Sequence, residues 1–146
     1  MPRDNDDGPM LWDDLLSMQQ KLVQEHLTID IPIVFCGQKK GGKTSLVERF
    51  VMPSKDPNDV PKPTVALEYK YARQQEAASN AKTVAHIFDI GGDEGLSSML
   101  SVALTPPGIA RSVAVLVLDG AEPGGAFPAL SFWLKELRTQ VDKCVT

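Results

Sequence analysis

From residue 10 to about 26, apolar residues return near the helical period. Leu11, Leu15, Met18, Leu22 and Leu27 form the stripe, and Trp12, Leu16 and Val23 widen it. The spacing predicts an amphipathic helix, with Asp13 and Asp14 near the end where the helix dipole favours negative charge. Such a stripe packs on the chain's own core or receives a partner. Residues 28–32 then lead into Ile33, Val34, Phe35 and Cys36, a short apolar run that suits a strand buried on both faces. Pro32 is expected at its start, because proline cannot donate to a central ladder.

Downstream, a helix is expected over about 44–52 and a proline-rich loop over 53–63. Residues 65–75 alternate, with Val65, Leu67, Tyr69 and Tyr71 on one side and Glu68 and Lys70 on a wetter one. A polar connection over 76–82 and a strand over 83–90 make an antiparallel hairpin. A short helix over 95–104 is stopped by Pro106 and Pro107, and 112–118 is the most hydrophobic run, read as a second strand buried on both faces. Phe127, Leu130, Trp133, Leu134, Leu137 and Val141 mark a terminal helix over about 126–143. The order predicts an α/β fold, a mostly parallel sheet with one antiparallel edge hairpin.

The chain has 146 residues, of which 42% are hydrophobic and 23% charged, enough apolar material for one packed domain, two at most. No apolar run is long enough to cross a bilayer as a helix, so membrane insertion is not expected. The net charge of −4 is local. Residues 1–14 carry Arg3 against five aspartates, which leaves 14 basic and 14 acidic side chains in the rest. A neutral body gives no footprint for nucleic acid, and residues 1–9 read as a disordered acidic head. Cys36 and Cys144 cannot supply a disulfide framework or a zinc site, and a reducing compartment is expected. Cys36 reads as a small buried hydrophobe. His26 and His86 have no catalytic partners at readable spacing, and His86 reads as a strand-face residue.

The chemistry lies in Gly37, Gln38, Lys39, Lys40, Gly41, Gly42, Lys43 and Thr44, which fit G-x-x-x-x-G-K-[ST] at every fixed position. Glycines let successive N–H groups turn toward an anion, and the helix that follows adds its positive end. Lys43 is expected on the β- and γ-phosphates and the Thr44 hydroxyl on Mg²⁺, with Ser45 beside them. Asp89-Ile90-Gly91-Gly92 places a carboxylate at a strand end, where it can hold Mg²⁺ through water. The Gly92 N–H can approach a γ-phosphate there. Thr64, which closes the proline-rich loop, is expected to join Thr44 and Asp89 as the third metal-side residue. GTP or GDP, or ATP, with Mg²⁺ is the expected cofactor. Lys39 and Lys40 also admit the plainer reading of solvated lysines beside an anion site.

Hydrolysis is expected to be weak or absent. In Ras-like GTPases the residue after the D-x-x-G glycine is usually a water-orienting glutamine, and here it is Asp93. No guanine-reading N-K-x-D occurs in the sequence. The domain over 28–146 is therefore read as an incomplete Ras-like P-loop NTPase, truncated at the C-terminus, that follows a helix over 10–27.

Pro61-Lys62-Pro63-Thr64-Val65-Ala66-Leu67-Glu68-Tyr69, followed by Tyr71 and Arg73, resembles the signature of the dynein light intermediate chain family. The likeness is greatest to its cytoplasmic dynein 2 branch. It continues through 85–92, 113–119 and 141–143, and through Leu11-Trp12, so it spans about 10–146. The run over 61–71 is more specific than the phosphate loop, since ordinary small GTPases lack it. The resemblance implies a Ras-like domain recruited as a non-motor subunit. Such a subunit binds the dynein 2 heavy chain, works with other dynein and intraflagellar transport subunits, and supports retrograde transport in cilia. It implies a location in cytoplasm, cytoskeleton, and cilium or flagellum with its basal body, and a mainly structural role for nucleotide. The helix stripe and the outer side of 126–143 are the candidate heavy-chain contacts. The alternative is an active Ras-like GTPase switch.

Overall fold

The computed structural model describes residues 8–25, 28–78 and 81–146. By internal contacts the chain divides into two units. The smaller comprises the described residues up to Ile29 together with those of Arg73–Thr83; the larger is Asp30–Ala72 with Val84–Thr146.

In the smaller unit, α1 runs Gly8–Glu25, two residues earlier than its apolar spacing suggests. Asp13 and Asp14 consequently fall beyond the first turn, where the dipole no longer helps them. The described members of its stripe, Trp12, Leu15, Leu16 and Met18, are exposed rather than buried. Residues 1–7, His26 and Leu27 lie outside the described residues. The Glu76 N–H donates to the Ala81 carbonyl at 3.3 Å and closes the hairpin connection.

β1 (Thr28–Gly37), β2 (Leu67–Gln75), β3 (Lys82–Ile90) and β4 (Val113–Val117) form a four-stranded sheet in the order β2-β3-β1-β4, most of whose residues fall in the larger unit. β1 and β4 are parallel, with Ile33 opposite Val113 and Gly37 opposite Val117. The consecutive strands β2 and β3 form the one antiparallel pair. Helices α2 (Lys43–Val51), α3 (Leu100–Ala103) and α4 (Pro123–Val145) complete the fold. A 3₁₀ segment, Glu94–Met99, leads into α3, and another spans Ile109–Arg111. The expected α/β fold, mostly parallel with one antiparallel pair, is what the chain adopts.

Alternation along β1 builds two cores. Phe35 meets Val47 of α2, Ile87 and Val117 on one side. Val34 and Cys36 meet Ile90, Leu100, Leu104 and Trp133 on the other. Central β1 is thus buried on both faces, as its continuous apolar run required. Pro32 lies inside the strand, not at its start. Pairing with β4 begins at Ile33, so the missing N–H removes no bond from that ladder.

Further sequence expectations change. β4 is not buried on both faces: Val113 and Ala114 are exposed and only Val117 is buried. It sits at the end of the strand order with one neighbour, so hydrophobicity alone misjudged its cover. On β2 the wetter side is the one with Tyr69 and Tyr71, both about half exposed. Lys70 turns inward because the Glu48 carboxylate of α2 pairs with it there, and Ala72 packs on the α2-side core. On α4, Trp133 is buried as expected, but Phe127 and Leu134 are exposed. His86 sits on β3 with its Nδ1 2.6 Å from the Tyr69 hydroxyl and its Nε2 2.8 Å from Asp30 Oδ1. That chain ties β2, β3 and β1 together, and it was invisible in the sequence because the partners lie 17 and 56 positions away.

Candidate functional site

The loop after β1 turns sharply at Gly37, whose φ is +129°. A Cβ there would sit 2.1 Å from the Val117 carbonyl oxygen, so only glycine lets the end of β1 lie against β4. The Gln38 N–H then donates to that same carbonyl at 3.0 Å. Gln38 also accepts the Asp119 N–H on its side-chain oxygen at 2.9 Å. Its side chain therefore braces the loop against the β4–α4 connection and does not line the cavity below. The Gly41 N–H closes a turn onto the Gln38 carbonyl at 3.2 Å, so that amide does not face an anion as expected. Lys40 takes a left-handed φ of 61°. Gly42 precedes α2 with no side-chain cap, which leaves the first-turn amides of a nine-residue helix to an external partner.

Lys43 is buried, and its ammonium donates to the carbonyls of Gln38 at 2.7 Å and Gly37 at 3.3 Å. Burial pulls its pKa below the ordinary lysine value, while the charge of Asp89 pulls back in the other direction. An ammonium has three hydrogens, and two carbonyls leave one to give. The neighbouring Cys36 thiol is pushed up to about 11 by burial, against the opposing charge of Lys43, and stays a neutral hydrophobe.

Thr44, Thr64 and Asp89, separated by 20 and 25 positions, meet beside the loop. Asp89 Oδ2 accepts the Thr44 hydroxyl at 2.7 Å and the Thr64 hydroxyl at 2.8 Å, and the two hydroxyls lie 3.1 Å apart. Asp89 is buried, and its Oδ1 has no hydrogen-bond partner among the described residues. The donor set is all oxygen and holds more acceptors than hydrogens, which suits a hard divalent cation. No group of three His, Cys, Asp or Glu that could hold a metal occurs among the described residues. A site of this kind is completed by water and ligand oxygens, the habit of Mg²⁺.

A cavity of about 880 Å³ opens over this group. It is lined by Lys39, Lys40, Gly41, Gly42, Lys43, Thr44 and Ser45, by Thr64 with Val60, Pro61, Pro63 and Val65, and by 90–93, Gly95 and Leu96. Gly37 and Gln38 shape the loop from behind. Gly92 lies against the loop: a Cβ there would be 2.3 Å from the Lys39 Cα. Gly91, not singled out in the sequence, plays the same part toward the other wall, since its Cβ would fall 2.9 Å from the Val65 carbonyl oxygen. The Gly-Gly pair was the available signal. Asp93 spends its carboxylate on the Gly95 N–H at 2.9 Å and caps the 3₁₀ segment.

The family described as "Roc: Ras of Complex, Roc, domain of DAPkinase" matches residues 32–146, most of the chain. The chain belongs to the Roc family. It is similar to cytoplasmic dynein 2 light intermediate chain 1 of Homo sapiens, 34% identical over 113 residues. That match covers 77% of this chain and 31% of the human protein. The Danio rerio counterpart is 31% identical over 118 residues, 81% of this chain and 32% of its own length. Cytoplasmic dynein 1 light intermediate chain 1 of Mus musculus is 26% identical over 140 residues, 96% of this chain and 26% of its own. The resemblance drawn from residues 61–73 is thus borne out, and the chain spans about a third of the dynein 2 relatives it matches.

Proposed function

We propose that this chain is the nucleotide-site part of a non-motor light intermediate chain of cytoplasmic dynein 2. In this reading it binds the dynein 2 heavy chain and supports retrograde intraflagellar transport with other dynein and transport subunits. It works in the cytoplasm and cytoskeleton and in the cilium or flagellum with its basal body. The observation that carries the family role is the identity with dynein 2 light intermediate chains over 77% of the chain. The exposed apolar residues Trp12, Leu15, Leu16 and Met18 on α1, and Phe127, Leu134 and Val141 on α4, are the proposed heavy-chain contacts. Among the described residues no helix is long and apolar enough to cross a membrane.

The phosphate loop is proposed to hold GTP or GDP, or ATP, with Mg²⁺. Support comes from the convergence of Thr44, Thr64 and Asp89 at 2.7–2.8 Å below the loop, and from the unpartnered Asp89 Oδ1. Lys39 to Ser45 and Gly92 would surround the phosphates, and Thr44, Thr64 and Asp89 would hold the ion. Mg²⁺ there would neutralise phosphate charge. Nucleotide serves as a structural ligand, because Asp93, engaged with the Gly95 N–H, is a carboxylate where a water-orienting amide would be needed.

Purification of the full-length protein from ciliated cells tests both halves. The heavy chain should co-purify and be lost when Trp12, Leu16, Phe127 and Leu134 become charged, while mass spectrometry of released ligand should find a nucleotide. Unchanged heavy-chain recovery would remove the contact assignment. Rapid GTP turnover by the pure protein would favour a switch instead.

A further inference from the structure

The Thr64 hydroxyl has one hydrogen and two carboxylates within reach. Asp89 Oδ2 is 2.8 Å away and Glu68 Oε2 3.3 Å away. Glu68 is not loose: its Oε1 lies 3.6 Å from the Lys70 ammonium, which in turn pairs closely with Glu48 Oε1 on α2. The other oxygen of Glu48 takes Lys55 at 3.0 Å, and Lys55 reaches Asp59 at 3.1 Å. Hydrogen bonds from Lys70 and Lys55 hold the Glu48 carboxyl below the usual carboxylate range. A continuous polar chain therefore runs from the Asp89 site through Thr64, Glu68, Lys70, Glu48 and Lys55 to the turn at 56–59.

A hydroxyl that gives a lone pair to a cation still has its hydrogen to donate. It cannot send that hydrogen usefully toward a carboxylate already committed to the same ion. Glu68 Oε2 is the one other carboxylate oxygen within hydrogen-bond distance of Thr64 among the described residues. We propose that Glu68, steadied by Lys70 and Glu48, is a positioning residue that accepts the Thr64 hydrogen and turns the Thr64 oxygen toward a divalent cation at Asp89. Partners of this outer-sphere kind fix ligand orientation, and their loss costs about ten- to a hundred-fold in metal affinity. The Glu68 side chain is 44% exposed, so the lower end of that range applies. The inference rests on the reading of the loop as a nucleotide and Mg²⁺ site, and it adds a residue that the phosphate-loop motif does not contain.

The test uses the full-length protein as wild type, Glu68→Ala, Glu68→Gln, Thr64→Ala and the Glu68→Ala/Thr64→Ala double variant. Each is loaded with a fluorescent GTP analogue, and its release is followed as Mg²⁺ is titrated. Glu68→Ala should raise the Mg²⁺ concentration that retains the analogue about ten-fold, and Glu68→Gln, which keeps an acceptor oxygen, should raise it less. In the Thr64→Ala background the Glu68 change should add nothing, which a general loss of stability would not reproduce. An unchanged Mg²⁺ midpoint in Glu68→Ala, or effects that simply add, overturns the proposal and leaves the nucleotide reading intact. Mn²⁺ alone, read by electron paramagnetic resonance on nucleotide-free protein, separates the two. If wild type retains no analogue but binds Mn²⁺ in a way that depends on Glu68 only through Thr64, the nucleotide half of that reading falls, while its cation half stands and this inference with it. If wild type binds neither, both fall.

Discussion

Two walls enclose the candidate phosphate site, and they are held by different forces. The wall at 37–44 is short and fixed by backbone. Gly37 has no room for a Cβ beside Val117, the Gln38 N–H bonds the Val117 carbonyl, and Lys43 ties back to two loop carbonyls. The wall at 53–66 is longer and fixed mostly by side chains, Thr64 on Asp89 and Lys55 between Glu48 and Asp59, with one backbone tie to the sheet where the Gly91 N–H donates to the Ala66 carbonyl at 2.8 Å. Backbone contacts of the first kind cannot be given up without parting β1 from β4. Ion pairs of the second kind, partly exposed, contribute little each and can be exchanged for water. One wall is thus built into the sheet, while the other can respond to what the cavity contains. Gly91 and Gly92 lie between them, a Cβ on the first meeting the Val65 and Thr64 carbonyls and one on the second the Lys39 backbone.

The largest effect should break the rigid wall. Gly37→Ala places a methyl 2.1 Å from a backbone oxygen at a φ of +129°, and is expected to cost about 3–5 kcal/mol in urea unfolding. Gly42→Ala is the control, since nothing lies within 4 Å of its Cβ; left-handed strain alone should cost about 1–2 kcal/mol. Equal losses for the two would show that the wall is not sterically fixed.

Lys43→Ala should next reduce nucleotide retention on the order of a hundred-fold, because a buried charged contact is removed. Equal nucleotide content in both proteins would refute the phosphate assignment. Cys36, on the strand that feeds the rigid wall, gives a pH test of its burial. The folded thiol keeps its proton to about pH 11, whereas its ordinary value is 9.0. The native state thus binds the extra proton in that window, and stability should fall by about 2–3 kcal/mol as pH climbs from 9 to 11. Cys36→Ala should lose that slope in a denaturant series. The smallest global effect belongs to the second wall. Glu48→Gln should speed amide exchange over 53–66 while moving overall stability by about 1 kcal/mol or less. A uniform rise in exchange across the sheet would instead make Glu48 a core residue.

Much of this is legible in the sequence. The eight residues Gly37 to Thr44 announce their geometry because each fixed position answers a local demand, a turn, an amide or a charge. Val34 and Cys36 against Phe35 alternate in a short run, so burial on both faces of β1 could be read directly. Lys70 could not be read that way. As a charged residue in an alternating strand it points to solvent by default, and only Glu48, 22 positions earlier, turns it inward. Val113 fails for the opposite reason, being apolar at a strand edge where no neighbour covers it. Asp89, Thr44 and Thr64 are expected around one ion from their motifs, but their meeting on one carboxylate oxygen depends on how β1, β3 and the 53–66 loop are set side by side.

Local chemistry therefore settled where the helices and strands lie, where the chain turns, and which residues suit an anion, since each of these is decided by neighbours within a few positions. The pairing of Glu48 with Lys70, the cover over β4 and the single hydrogen shared between Asp89 and Glu68 were decided by packing alone. They depend on distances between residues far apart in the chain, which periodicity and spacing do not encode.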